Sequence, residues 1–294
     1  MKGMLLAAGL GTRLRPLTHE RPKPAMPFRL RTLGGEGLRA MARAGIREAV
    51  VNAHPLPEIL ERVLREDAPE EMRLAFSIED EVLGTGGGIH KAFGGSAEPL
   101  LVFNGDVLYE ADLSQAVAFH EAHRPFATLL VRRVDGSAPG TIDVDVEGRV
   151  RAILSADPPA RGLTRFAFTG VHLLSPEALG ALPRVGCVIR EGYVRWLAEG
   201  ARVLAHVDDA PFADLGTPAA YFAAHFGRGH EGEPRVSPEA QVAPGAVIEE
   251  SYVGARAVVP GGAVLRRCIV WPDVVVPEGR LQDAILTPRT ILPI

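Results

Sequence analysis

From Val236 to the C-terminus, apolar residues return every five or six positions. They fall at Val236, Val242, Val247/Ile248, Val253, Val258/Val259, Val264/Leu265, Ile269/Val270, Val275/Val276, Leu281, Ile285/Leu286 and Ile291/Leu292, with Pro and Gly between them. Neither the 3.6 period of a helix nor the two-residue alternation of a flat strand gives that spacing. Short strands at this step wind a parallel β-helix, in which each turn buries the apolar face of the last. The other reading is a small irregular β-domain.

The preceding chain has a different rhythm. Gly3–Ala8, Ile46–Ala53, Met72–Glu79, Leu100–Asn104 and Ala127–Val134 read as strands. Between them, Leu38–Ala44, Pro57–Arg65, a segment opening at Gly88–Phe93, and Leu113–His123 read as helices. Such alternation predicts right-handed βαβ units and a mainly parallel sheet. After Gly140, Thr141–Leu154 reads as a hairpin around Glu147-Gly148, followed by strands at Arg165–Leu174 and Ala201–Val207 with a helix at Tyr193–Glu199. Ala219–Phe226 is the last helix, and Gly227–Pro234 carries Gly, Pro and charge. The division expected is a domain at 1–226, a linker at 227–235 and a β-helix at 236–294.

Charge narrows the partners. A net charge of −4 offers no general attraction to nucleic acid or to an anionic membrane, so a phosphate site must be a local device. Two cysteines, Cys187 and Cys268, are too few for a disulfide framework or a zinc site, which points to a reducing, cytoplasmic setting. No stretch is long and apolar enough to span a membrane, and the apolar N-terminus stops at Gly9, too soon for a signal peptide. Lysine occurs only at Lys2, Lys23 and Lys91, and asparagine only at Asn52 and Asn104. In a chain so poor in these residue types, each one that occurs calls for a reason of its own.

The chemistry concentrates after the first strand, in Leu6-Ala7-Ala8-Gly9-Leu10-Gly11-Thr12-Arg13-Leu14-Arg15-Pro16-Leu17-Thr18, followed by Arg21-Pro22-Lys23-Pro24. Glycines there let backbone N–H groups approach an anion. Arg13, Arg15, His19, Arg21, Lys23, Arg29 and Arg31 face a single acid, Glu20, which concentrates positive charge in one loop. The segment lacks the third glycine of a dinucleotide fingerprint and the Gly-Lys-Ser/Thr of a P-loop. Further along stand Leu83-Gly84-Thr85-Gly86-Gly87-Gly88 before a helix and Val102-Phe103-Asn104-Gly105-Asp106 at a strand end. Phe166-Ala167-Phe168-Thr169-Gly170-Val171-His172 lies in a core strand, and Phe212-Ala213-Asp214-Leu215-Gly216-Thr217-Pro218 precedes the last helix. An apolar strand ending in a carboxylate places Asp106 at the edge of a parallel sheet where ligands bind. Thr217-Pro218 is a good helix start, which leaves Asp214 unexplained by capping.

Leu6–Pro24 resembles the signature of the sugar-1-phosphate nucleotidyltransferases, and the resemblance runs through the first two-thirds of the chain. It implies a Rossmann-like three-layer α/β domain with a mixed, mainly parallel sheet, joined here to a short left-handed parallel β-helix. The implied reaction joins a nucleoside triphosphate to a sugar 1-phosphate with Mg²⁺ as cofactor. GTP and mannose 1-phosphate are the first pair to expect; uridylyl, thymidylyl or adenylyl transfer to another sugar are the alternatives. The resemblance also assigns residues. Arg13 and Lys23 are the catalytic cations. Leu6, Ala7, Ala8, Gly9, Gly11, Thr12 and Arg13, with Thr85, Gly86 and Gly87, hold the nucleotide. Asn104, Gly140, Thr169 and Gly170 hold the sugar phosphate, and Asp106 and Asp214 hold the metal. Asp208 and Asp209 compete as ligands on charge alone.

One departure stands out. Many members carry Glu-Lys-Pro ahead of the sugar-side strand, where this chain reads Ser155-Ala156-Asp157-Pro158-Pro159 with no lysine. Arg161 or Arg165 are the substitutes to consider. A β-helix also invites an acyltransferase reading, but such enzymes use a histidine on the coil and the last one here is His230. The tail therefore reads as an assembly or regulatory module, with a homo-oligomer possible through it. A regulatory subunit that binds an NDP-sugar is the non-enzymatic alternative.

Overall fold

The computed structural model describes residues 1–134, 140–155, 157–227 and 234–294. The expected linker, 227–235, falls largely outside the described residues. The first part of the chain runs β1 (Lys2–Leu6), β2 (Pro27–Phe28), β3 (Arg31–Thr32), α1 (Leu33–Arg43), β4 (Glu48–Ala53), α2 (Pro57–Asp67), β5 (Arg73–Ile78) and α3 (Gly84–Phe93). It continues as β6 (Leu100–Asn104), β7 (Val107–Tyr109), α4 (Leu113–His123), β8 (Ala127–Arg133), β9 (Ile142–Val144), β10 (Val150–Ile153) and β11 (Thr164–Leu174). Then come α5 (Pro176–Gly180), a π-helical turn (Val188–Tyr193), α6 (Val194–Ala198), β12 (Val203–Val207), β13 (Phe212–Asp214) and α7 (Pro218–His225).

The central sheet is mixed. It runs β10-β9-β11-β6-β1-β4-β5, with β8 joined to β11 and β12 to β8. β1 pairs in parallel with β4 on one side and β6 on the other, which creates a reversal of strand order beside β1. β11 enters antiparallel against β6, β8 and β9. Two apolar cores lie on the sheet: Leu5, Val51, Leu60 and Phe103 belong to one, Met4, Val102, Leu129 and Trp196 to the other.

α1 begins five residues before the expected Leu38. Gly34, Gly35 and Gly37 argue against a helix on propensity, yet packing overrides them. A Cβ on Gly34 would lie 2.9 Å from the Pro24 carbonyl oxygen, and one on Gly37 would lie 3.1 Å from the Phe103 ring. Thr32 caps the helix by accepting from the Gly35 N–H at 3.0 Å.

The C-terminal part coils as the apolar period requires. Its strands are β14 (Gln241–Val242), β15 (Val247–Glu249), β16 (Tyr252–Val253), β17 (Val258–Val259), β18 (Ala263–Val270), β19 (Gly279–Leu286) and β20 (Ile291–Pro293). Gln241 lies beside Val258, Val247 beside Val264 and Tyr252 beside Ile269, all in parallel. One turn of the coil is thus three of the five- or six-residue steps. β20 ends the stack by pairing antiparallel with β19. Corners repeat with the coil: Glu250, Arg267 and Asp283 have positive φ of 45°, 50° and 46°, and Arg256 and Asp273 have 57° and 66°.

The coil is not a free tail. Leu14, Leu17, Met26 and Phe28 of the N-terminal loop and Tyr221 and Phe222 of α7 share one buried cluster with Val253, Leu265, Trp271 and Leu286.

Candidate active site

The cleft forms where the C-terminal ends of β1, β4, β5 and β6 meet. It is lined by Leu6, Ala7, Ala8, Gly9 and Gly11 after β1, Asn52 of β4 and Glu79 after β5. Val82, Gly84 and Thr85 at the start of α3, Asn104 and Asp106 at the end of β6, and Lys23 and Pro24 complete it. This is the sheet edge beside a change in strand order where open α/β folds bind ligands. Gly105 N–H donates to the Leu6 carbonyl at 2.9 Å, which ties the β6 end to the glycine loop.

Two acids arrive by separate routes. Asp106 directly precedes β7, and β7 pairs antiparallel with β13 so that Val107 faces Asp214. This two-stranded ribbon brings side chains more than a hundred positions apart to one point. Lys23 Nζ lies 3.6 Å from Asp106 Oδ2 and 3.6 Å from Asp214 Oδ1. The lysine side chain is 6% exposed, while both carboxylates are about half open to solvent. Arg13 closes the group, 3.8 Å from Asp214 Oδ2. Its guanidinium rests on Gly216, where a Cβ would stand 2.8 Å from the terminal nitrogen. Gly216 therefore clears space for Arg13, and Thr217 caps α7 by accepting from the Ala220 N–H at 3.2 Å.

A chain of buried polar groups forms the other wall. Asn52 Oδ1 accepts from the Ala7 N–H at 2.7 Å, and Asn52 Nδ2 donates to Glu79 Oε1 at 2.7 Å. Glu79 Oε2 accepts from the Leu83 N–H at 3.0 Å. Asn52 and Glu79 are both almost fully buried. Gly88 lets them stand there, since a Cβ on it would lie 2.7 Å from both side chains.

The family model described as Nucleotidyl transferase matches residues 2–228. The chain belongs to that family. Among its relatives is a mannose-1-phosphate guanylyltransferase of Mycobacterium tuberculosis, 32% identical over 94% of this chain and 81% of that protein. Mannose-1-phosphate guanylyltransferase 1 of Arabidopsis thaliana is 28% identical over 97% of this chain and 78% of that protein. HddC from Yersinia pseudotuberculosis superposes with a TM-score of 0.64 at 24% identity, covering 76% of this chain and 98% of that one, a likeness of fold. As a nucleotidyltransferase the protein is an enzyme of the class that Leu6–Pro24 resembles.

The transferase's cleft suits a hard divalent cation in one respect that can be tested on its residues. The Lys23 ammonium already occupies the point on which the two carboxylates converge, so Asp106 and Asp214 are placed to share a cation. Among the described residues no three His, Cys, Asp or Glu side chains form a metal cage. Two carboxylates completed by water and phosphate oxygens are the donor set that Mg²⁺ favours.

Other expected residues stand apart. Gly86 and Gly87 are buried against the 183–188 segment: a Cβ on Gly86 would meet Pro183 at 2.5 Å, and one on Gly87 the Arg184 carbonyl at 2.8 Å. Gly86 N–H donates to the Gly186 carbonyl at 2.8 Å, and Thr85 Oγ1 accepts from the Val188 N–H at 2.9 Å. Thr12 lies in a 3₁₀ turn and does not line the cleft. Thr169 is fully buried and donates to the Leu130 carbonyl at 2.9 Å, within a bulge of β11 between Phe168 and His172. Gly170, at φ +83°, makes room for Asn104, whose Nδ2 would lie 3.0 Å from a Cβ there. Gly140 packs against Arg165 and Val134, outside the cleft. Arg165, a substitute considered for the missing lysine, is already engaged by an acid. It forks onto Asp143 at 2.7 and 2.8 Å and holds that carboxyl below the usual carboxylate range.

Of the seven basic residues from Arg13 to Arg31, only Lys23 lines the cleft and Arg13 reaches its Asp214; Arg15 and His19 do not line it. Arg21 turns toward the β-helix, and Arg29 and Arg31 line grooves away from the cleft. The sequence reading missed Asn52 and Glu79. Asn52 carried a signal, as one of two asparagines in the chain, whereas Glu79 is one acid among many.

Proposed function

We propose that this chain transfers a guanylyl group from GTP to mannose 1-phosphate, releasing pyrophosphate. The relatives named above carry that activity in their names. The observation that carries the nucleotide choice is the Glu79 carboxylate, buried at the cleft wall with neutral N–H donors on both oxygens. A carboxylate offers about four acceptor positions, so each oxygen keeps capacity for another donor. The Watson–Crick edge of guanine presents adjacent N1–H and N2–H donors to such a group. Uracil and thymine would set a carbonyl oxygen against it on either side of N3–H, and adenine a ring nitrogen.

In this reading a sugar phosphate oxygen attacks the α-phosphorus of GTP in line, and the bond to the bridging oxygen of the leaving pyrophosphate breaks. Both reactants are already charged, so the protein's share is positioning and neutralisation. Arg13 forks onto the triphosphate, and Lys23 follows the charge that builds on the pyrophosphate. Leu6–Gly11 approach the nucleotide through their backbone, with Gly84 and Thr85 beside the base. Asn104, set by Gly170, faces the sugar side. Asp106 and Asp214 would hold Mg²⁺, which supplies charge neutralisation across the phosphates when bound. Residues 1–226 form the catalytic domain and 236–294 the β-helix. The free thiols of Cys187 and Cys268 fit a cytoplasmic setting.

Pyrophosphate release measured over a matrix of nucleoside triphosphates and sugar 1-phosphates tests the assignment. GTP with mannose 1-phosphate is expected to give the highest kcat/KM. A higher value with another base overturns the nucleotide assignment, and with another sugar the sugar assignment.

A further inference from the structure

The turn that presents Lys23 to the cleft is anchored from behind by the β-helix. Lys23–Ala25 is a single 3₁₀ turn, too short to fix its own direction. On its N-terminal side, Thr287 Oγ1 donates to Glu20 Oε1. The Arg21 guanidinium lies over the Trp271 indole, 5.7 Å from the ring centroid, and 4.0 Å from Asp273 Oδ2. Asp273 is itself gripped by Arg256, at 2.7 Å from Nε and 3.1 Å from the second nitrogen. The Arg21 side chain is only 12% exposed, and burial lowers its pKa while Asp273 opposes that shift. On the C-terminal side, the Tyr221 hydroxyl of α7 donates to the Pro27 carbonyl, and Met26 and Phe28 enter the shared core with Trp271. Glu20 and Arg21 are three and two residues from Lys23, yet neither lines the cleft.

We propose that Asp273 and Thr287, on the β-helix, are positioning residues for the transfer reaction. By fixing Arg21 and Glu20 they hold the Lys23 ammonium between Asp106 and Asp214. The inference rests on the role given to Lys23 above. A lysine stem has four rotatable carbons, so the location of its charge follows from its backbone and packing. Misplacing such a group by about 1 Å costs on the order of 100-fold in rate. A seam that only joined two domains would, when loosened, lower stability and leave the folded enzyme's turnover as it was.

The scarcity of lysine supplies a direct readout. Competitive acylation by acetic anhydride, quantified by mass spectrometry, compares Lys23 with Lys2 and Lys91 inside one molecule. In the unaltered chain Lys23 is expected to react slowest, since its side chain is 6% exposed against 40% for Lys2. The test variant is Asp273→Asn with Thr287→Val. Asparagine tolerates the left-handed backbone of position 273, so the coil keeps its corner. The control is Asp283→Asn, which breaks the 2.9 Å pair with Arg267 on the same coil and touches neither Glu20 nor Arg21.

In the double variant the Lys23 rate is expected to rise about 10-fold relative to the other two lysines, with no rise in the control. kcat should fall at least about 10-fold while KM for both substrates stays within about twofold. An unchanged Lys23 ratio, or an equal rise at all three lysines, overturns the proposal. So does an unchanged kcat beside a raised Lys23 ratio. If the unaltered chain releases no pyrophosphate with any substrate pair, the functional reading falls, and the acylation ratios still decide whether the β-helix positions Lys23.

Discussion

At the scale of single residues, the site is economical. One lysine lies between two carboxylates, one arginine rests on a glycine, and an amide and a carboxylate form the opposite wall. Asp106→Asn should lower turnover by about 1000-fold, at the upper end of what loss of one preorganised electrostatic group costs. Its half-open position makes unfolding unnecessary, so the melting temperature should stay within a few degrees; near-normal turnover would remove Asp106 from the site. Glu79→Gln is the sharper experiment on the base. Losing a charge-assisted acceptor should reduce kcat/KM for GTP roughly 10- to 100-fold, as charged hydrogen bonds of about 1.5–3 kcal/mol imply. Values for UTP should change less, and parallel losses for both nucleotides would refute base reading by Glu79. Much of this was legible beforehand. The Leu6–Pro24 pattern named Arg13 and Lys23, and strand-end logic named Asp106. Thr169, expected at the sugar phosphate, lies in a bulge with its hydroxyl on the backbone, a matter of strand register that residue types do not encode.

At the scale of elements, glycines set how closely the segments around the cleft approach one another. The run at Gly84–Gly88 reads as a helix start, and α3 begins there. Its absent side chains, however, are taken up mainly by the backbone around Gly186 and by Asn52 and Glu79. Gly84 has φ +77°, and a Cβ on it would lie 2.5 Å from the Gly186 carbonyl oxygen. Gly84→Ala should therefore destabilise the protein by about 2 kcal/mol or more, from the left-handed backbone and the displaced 183–188 segment together. A denaturant midpoint unchanged from the parent would count against that packing account. The β7–β13 ribbon, which joins Asp106 to Asp214, could not be read from sequence. Each strand has three residues, too few for any period to show.

At the scale of the whole molecule, the two parts share one apolar core, and one buried histidine beside that core and another in the sheet core around Tyr193 and Trp196 link stability to pH. His225 packs edge-on against Tyr252 at 5.5 Å between ring centroids, and His172 Nδ1 lies 2.8 Å from the Tyr193 hydroxyl. Burial pushes both imidazoles down to about 3, against an ordinary value of about 6.5. Below pH 6.5 the unfolded chain takes up protons that the folded one refuses. Stability is therefore complete above that pH and falls as pH drops toward 3, by up to about 1.4 kcal/mol per pH unit for each histidine. Urea unfolding followed from pH 7.5 to 4.5 should show this slope, and His225→Gln should make it shallower; identical slopes would contradict the assignment. The coil's period was plain in the sequence, but its docking on the Lys23 loop was not, because burial between two domains leaves no periodic mark. The corners of that coil carry a further consequence. Glu250, Arg267, Asp283, Arg256 and Asp273 occupy a backbone region that costs most side chains on the order of 1 kcal/mol. Charge offsets part of that cost, since Arg256 pairs with Asp273 and Arg267 with Asp283 from one coil to the next. Among the described residues Glu250 has no such ladder partner, so it is the natural corner at which to begin engineering heat tolerance, where asparagine or glycine would release strain while the Arg256–Asp273 and Arg267–Asp283 rungs stay intact.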